Sequence, residues 1–300
     1  MKGGVINLRK EAGMTSHDAV FRIRKIFGTK KVGHAGTLDP NATGVLPILI
    51  GEATKACDLL GEETKIYRGT VRFGLETDTQ DIWGNVLGRS DRMPTRDDLL
   101  RAAQTFLGEG EQIPPMVSAI KQNGKKLYEY AREGITVERA ARPITVFSLD
   151  LLSFTGEEAV FRTEVSKGTY IRTLFYDLCV KMGVLGTMSC LEREKSGIFL
   201  LEEAKTLSQL EAMSPEEREA SLVPTESLFT CYEPFVLPNF YDRLIRNGCA
   251  VLIQKLKWKQ SSQVGTRVRL YQGDRFVALG QLIEDEEGIK LRKIKDFSAE

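Results

Sequence analysis

Gly33-His34-Ala35-Gly36-Thr37-Leu38-Asp39-Pro40-Asn41-Ala42-Thr43-Gly44-Val45-Leu46-Pro47-Ile48 is the stretch around which the rest of the chain is read. It contains one carboxylate, Asp39, and one of only two histidines in the protein. Its three glycines permit close approaches and backbone angles that a Cβ would block. Pro40 biases Asp39 away from the α region, toward an extended conformation. Asp39 is therefore expected on a stiff turn. The apolar run 45–50 that follows reads as a buried strand. A rigid loop rooted in such a strand is a common mounting for a reactive side chain. On spacing alone the stretch also fits a plain Gly-rich turn with Asp39 as its turn or capping residue.

Composition narrows the classes. The 300 residues suggest about two domains, and 42% apolar with 28% charged residues fits an ordinary globular protein. No apolar run approaches the ~20 residues of a membrane span. Met1-Lys2-Gly3-Gly4 opens no signal-peptide core. The five cysteines are scattered and form no Cys-x-x-Cys pair. Reduced thiols and a cytoplasmic location are expected, and a zinc site is not. The net charge is only +1, but it is unevenly spread. Residues 1–37 hold eight Lys/Arg against two Asp/Glu, and residues 232–300 hold twelve against nine. Residues 202–219 hold two against six. Such separation suggests a polyanion on one face, although each segment alone also fits a solvated helix face.

The element pattern is mixed. Residues 5–7 begin a strand. Thr15 and Asp18 form a capping box for a helix that runs to about Phe27 and stops at Gly28. Residues 52–60 read as a short helix ended by Gly61. Residues 65–75 alternate, with Tyr67, Gly69, Val71, Phe73 and Leu75 on one strand face. Thr95 and Asp98 open a helix expected through Leu107 and closed by Gly108. Residues 112–119 are too proline-rich for a helix start. Residues 121–142 then mix six basic residues with tyrosines around a short helix, a composition suited to nucleic acid or to a plain surface hairpin. Strands are expected at 144–154, 159–165, 186–191 and 197–201, with a helix over 170–182. Arg172 lies in the first turn of that helix, the unfavourable end for a cation unless it is exposed or an anion holds it. Short β segments after residue 264 read as a small β-rich module, with the boundary near residue 231.

Several chemistries fail on this pattern. No Gly-Lys-Ser/Thr follows Gly33-x-x-Gly36, and no Gly-x-Gly-x-x-Gly follows a strand. His17 and His34 have no recognisable nucleophile context. Paired-carboxylate hydrolysis stays open on spacing, though the loop has no second carboxylate. A single loop aspartate acting as nucleophile fits the remainder.

The motifs together resemble the TruB family of tRNA pseudouridine synthases. Residues 33–46 resemble its catalytic motif, Gly13-Met14-Thr15-Ser16 its first motif, and Lys65-Ile66-Tyr67 its tyrosine motif. Gln112-x-Pro114-Pro115-Met116-x-Ser118-Ala119-x-Lys121 and Leu127-Tyr128-Glu129-x-Ala131-Arg132 resemble its RNA-gripping insertion. Ser166-Lys167-Gly168-Thr169-Tyr170-Ile171-Arg172 and Leu191-x-Arg193 resemble its two later motifs. The matches keep the family's order across residues 5–200. One departure is Lys10-Glu11-Ala12, where many members have Lys-Pro.

The resemblance implies an α/β (α+β type) fold. It consists of a catalytic domain with a mixed, largely antiparallel sheet over 1–231, a helical insertion at about 112–142, and a PUA-like RNA-binding domain over 232–300. It implies conversion of uridine to pseudouridine at position 55 in the T-arm of tRNA, by base flipping, with no cofactor, no metal and no guide RNA. Asp39 resembles the nucleophile, and Arg172 the arginine paired with it. Tyr67 resembles the tyrosine that stacks on the base and is the candidate acceptor of the C5 proton. Leu191 resembles an apolar wall of the uracil pocket, and His34 the residue that fills the stack after the base leaves. Lys10, Lys121, Lys125 and Lys126 are expected at the RNA. A non-catalytic RNA-binding or RNA-folding protein would use the same surfaces, but binding alone needs no Asp39–Tyr67–Arg172 set.

Overall fold

A computed structural model describes residues 3–60 and 64–298. Its main sheet grows from the apolar runs flanking the 33–48 stretch. Strand β1 (Gly4–Lys10) leads into helix α1 (Ser16–Ile26), β2 (Val32–His34) and β3 (Thr43–Ile50). Thr15 and Asp18 close the expected capping box on α1, and Ala19, Val20, Ile23 and Phe27 bury its stripe. Every residue of β3 after Thr43 is buried. Leu46, Ile48 and Ile50 point into the main core, while Val45 and Leu49 enter a second core on the opposite face. A strand covered on both faces reads as an unbroken apolar run, as this one does.

Strand β4 (Lys65–Phe73) buries Tyr67, Gly69, Val71 and Phe73 on one face, as alternation predicts. Leu75 falls outside it, because Gly74 turns the chain at φ 79° into a hairpin of β5 (Leu75–Thr77) and β6 (Val86–Arg89). Helix α2 (Arg96–Gln104) ends three residues earlier than expected, and Gly108, at φ 93°, opens strand β7 (Gly108–Gln112) rather than closing a helix. The insertion forms a small hairpin of β8 (Lys121–Gln122) and β9 (Lys125–Lys126), followed by α3 (Leu127–Arg132). Asn123-Gly124, both at positive φ, supply its tight turn.

Strands β10 (Arg142–Phe154) and β11 (Glu158–Val165) precede α4 (Ile171–Met182), which Gly183 ends in the left-handed conformation. The expected strand at 186–191 continues as one element, β12 (Gly186–Ser196), pairing at its end with β13 (Phe199–Leu200). Helices α5 (Leu207–Ala212) and α6 (Pro215–Ala220) and strand β14 (Val223–Pro224) complete this part. The sheet order is β14-β1-β3-β12-β4-β11-β10-β7, with β2 on β3. Within it only β3 and β12 pair in parallel, so the sheet is mixed and largely antiparallel. Residues 52–60 do not form an α-helix: Gly51–Ala56 is a 3₁₀ segment, and Gly61 lies outside the described residues.

Beyond residue 232 a five-stranded sheet is built from β15 (Glu233–Val236), β16 (Val251–Leu252), β17 (Arg267–Gln272), β18 (Arg275–Asp285) and β19 (Gly288–Asp296). Helix α7 (Asn239–Arg246) packs on it, an element the turn signals did not reveal.

Candidate active site

Several backbone segments meet around Asp39. The loop carrying it is fastened from behind by the segment joining β1 to α1. Ser16 Oγ donates to Leu38 O at 3.0 Å and accepts from Leu38 N at 2.9 Å. Gly13 N donates to Pro40 O at 3.1 Å, and Ala42 N closes the turn on Asp39 O at 3.1 Å. Lys10 is wholly buried, and its Nζ donates to Pro40 O at 2.8 Å, Ala42 O at 2.7 Å and Glu11 O at 3.0 Å. The Lys10 ammonium is thus turned to the carbonyls of the loop. Burial pulls its pKa down to about 8, against the opposing pull of Asp39.

Arg193 fastens the other side of the loop. It is fully buried, with Nε donating to Val45 O at 2.6 Å and Nη2 to Gly36 O at 2.8 Å. A side chain at Gly44 is impossible here, since its Cβ would lie 2.2 Å from Arg193 O.

Arg172 supplies the partner. Its Nε lies 2.9 Å from Asp39 Oδ2, and its Nη2 donates to Asp39 Oδ1 at 3.2 Å, a two-point fork on one carboxylate. The side chain of Arg172 is 3% exposed and that of Asp39 is 37% exposed, so the pair is anchored from inside yet open to a substrate. Two further donors of Arg172 are also used, with Nη1 reaching Thr79 O at 2.9 Å and Nη2 reaching Val117 O at 2.8 Å. The cation therefore tolerates the first turn of α4 because an anion and two carbonyls hold it. Asp81 Oδ2 lies 3.9 Å from Nη1. Burial raises the pKa of Asp81, offset in part by the Thr79 hydroxyl and by Arg172. Sequence reasoning missed Asp81, which looks there like any residue of a polar turn. Gln80, held at φ 63°, shapes that turn, and its Oε1 accepts from Thr173 Oγ1 at 2.8 Å.

Tyr67 and Leu191 come from adjacent strands. Tyr67 sits opposite Arg193 and Leu191 opposite Gly69 in the β4–β12 pairing, and both are buried. The Arg193 guanidinium lies 6.0 Å from the Tyr67 ring centroid. Gly69 leaves space for Phe175, which would be 2.6 Å from a Cβ there. His34 ends β2, half-buried, with a buried Nδ1 that has no hydrogen-bond partner among the described residues. Burial first, then the charge of Arg193, lowers its pKa below the usual histidine value. In the insertion, Lys121 is exposed, Lys125 Nζ lies 4.7 Å above the Tyr130 ring, and Lys126 Nζ lies 5.4 Å above Tyr128. The described residues hold no cluster of three or more His, Cys, Asp or Glu suited to a metal, and no helix among them is long and apolar enough to cross a membrane.

Comparison with known proteins adds an independent line. Residues 24–171 match the model of the TruB family pseudouridylate synthase N-terminal domain. The chain is 40% identical over 294 residues to tRNA pseudouridine synthase B of Clostridium perfringens (strain SM101 / Type A), covering 97% of this chain and 98% of that protein. It is 42% identical over 278 residues to tRNA pseudouridine synthase B of Aromatoleum aromaticum, covering 93% and 88%. A solved Cbf5-Nop10-Gar1 complex contains a chain similar in structure, with a TM-score of 0.74 and 27% identity, covering 98% of this chain and 85% of that one.

Proposed function

Because the chain belongs to the TruB family of pseudouridylate synthases, we propose that it converts uridine to pseudouridine in tRNA, at position 55 of the T-arm. In that reaction the C1′–N1 bond breaks and a C1′–C5 bond forms. C5 loses a proton and N1 gains one, so the atoms balance without a cofactor, metal or redox partner. The target base is flipped out of its stack into the site, at a cost of a few kcal/mol that is least in an irregular loop.

The observation that carries this reading is the accessible Asp39 carboxylate forked by the buried Arg172. A carboxylate held at both oxygens is oriented before substrate arrives. Asp39 serves as the nucleophile. Tyr67 stacks on the flipped base and accepts the C5 proton, Leu191 forms the pocket's apolar wall, and His34 fills the vacated stack. Lys121, Lys125 and Lys126 meet phosphates of the T-arm. Residues 1–231 form the catalytic unit, and residues 232–300 a PUA-like module that binds RNA. The insertion at about 112–142 suits an enzyme that grips tRNA by itself, without guide RNA, in the cytoplasm.

The test is incubation with a T-arm stem-loop RNA in the presence of a chelator, with pseudouridine read out by nucleoside analysis. Stoichiometric conversion is expected. Binding without conversion would favour a non-catalytic RNA-binding role.

A further inference from the structure

We propose that Gln112 is a positioning residue for Arg172, locking the first turn of α4 to the root of the insertion. The proposal rests on the reading of Asp39 and Arg172 as the working pair.

Gln112 is the last residue of β7 and is 4% exposed. Its side chain grips a single residue from both sides. Oε1 accepts from Tyr170 N at 2.8 Å, and Nε2 donates to Tyr170 O at 3.1 Å, across 58 residues of sequence. A primary amide carries an acceptor and donors on two neighbouring atoms, which an ionised carboxylate does not reproduce at neutral pH. Tyr170 is the N-cap of α4, and its own side chain makes no capping bond. Gln112 therefore does the capping from a distant element, and it sets the helix start two residues before Arg172.

The return path runs through Arg172 itself, which donates to Val117 O, five residues beyond Gln112. Gln112, Tyr170, Arg172 and Val117 thus close a ring between the insertion's root and α4. The insertion carries Lys121, Lys125 and Lys126, so the RNA grip and the arginine share one frame. Loss of the Gln112 bonds leaves Tyr170 O with Leu174 N as its partner among the described residues, loosens the turn and lets the Arg172 fork drift from Asp39. A misplacement of about 1 Å in such a pair costs up to about a hundredfold in rate.

Gln112→Glu tests this with a built-in switch. Ionised, the new side chain accepts from Tyr170 N but has nothing to donate to Tyr170 O; protonated, it donates again. Single-turnover conversion of a T-arm stem-loop at saturating enzyme should fall roughly tenfold or more relative to wild type at alkaline pH. The gap should close as pH is lowered, with the RNA Kd unchanged. A variant-to-wild-type ratio that stays flat with pH, or a loss confined to Kd, would overturn the proposal. A crystal structure of Gln112→Leu gives a readout independent of turnover. The Arg172–Asp39 separation should lengthen beyond hydrogen-bonding distance, and an unmoved pair would overturn the proposal as well. Absence of conversion by the wild type, or activity in Asp39→Asn, would instead refute the catalytic reading of the pair and leave the structural readout to judge Gln112.

Discussion

Tyr67 poses the sharpest question about a single side chain. It is buried on the β4 face, flanked by Arg193 and by Leu191 two pairing positions away. Tyr67→Phe keeps the ring and removes the hydroxyl, whereas Tyr67→Leu removes both. With proton acceptance by the phenol, the Phe variant should lose turnover by about a hundredfold or more while keeping RNA affinity. Single-turnover rates alongside a binding isotherm would check this, and near-normal turnover would leave stacking as the only role. Lys10 offers a second test. Its ammonium satisfies three carbonyls beneath the Asp39 turn. Lys10→Met fills the volume but leaves Pro40 O with Gly13 N and takes the ammonium from Ala42 O and Glu11 O, at about 1–3 kcal/mol for a buried acceptor left unpaired. A lower melting temperature and a slower chemical step are expected together, with RNA affinity little changed. A variant slowed only through weaker RNA binding would place Lys10 among the RNA-facing lysines.

At the scale of elements, α4 carries both Arg172 and a second ionisable residue. Asp177 lies half-buried on this helix, and desolvation raises its pKa from 3.8 to about 6. The folded state thus binds this proton more tightly than the unfolded chain. Its contribution favours folding at low pH and is lost as pH rises from about 4 through about 6. Asp177→Asn should raise the melting temperature at pH 7 by a few degrees and flatten its slope across that window. An unchanged slope would mean that Asp177 is better solvated than its surroundings indicate. The elements also mark what sequence reading can reach. The capping boxes at Thr15 and Thr95, the alternation in β4 and the apolar run of β3 were legible because local chemistry sets them. The end of α2 was not, since pairing of β7 with β10 draws Gly108 into the sheet. Asp81 and Gln112 were missed as partners of the α4 terminus for a related reason: their bonds span about 60 to 90 residues, and no local spacing encodes them. Arg172 was legible in part, because a cation at a helix N-terminus already calls for an anion. The burial of Lys10 was not legible, because it depends on the loop that folds over it.

For the whole molecule, the two sheets share a core. Val5, Val45 and Leu49 of the large sheet pack in one cluster with Phe229, Leu279 and Phe297. Phe297 stands 5.5 Å from both Phe229 and Phe276, and Lys295 pairs with Asp58 at 2.7 Å across the same junction. Deleting residues 232–300 would bare this apolar face, so RNA binding is better probed by charge than by truncation. Lys121→Gln removes one exposed cation of the insertion. It should weaken T-arm binding and reduce the slope of log K against log salt by about one, leaving the chemical step intact. Titrations at several salt concentrations would check this, and an unchanged slope would place Lys121 away from the phosphates.

In the proposed reaction the Asp39 carboxylate, held by Arg172, is the reacting group. Asp39→Asn is nearly isosteric, but its amide is neither a nucleophile nor a counter-charge to developing positive character at the sugar. The decisive measurement is single-turnover pseudouridine formation by Asp39→Asn on a T-arm stem-loop at saturating enzyme, so that product release does not enter the rate. A folded protein with near wild-type RNA affinity and no detectable pseudouridine is expected. Substantial single-turnover conversion by Asp39→Asn would contradict it.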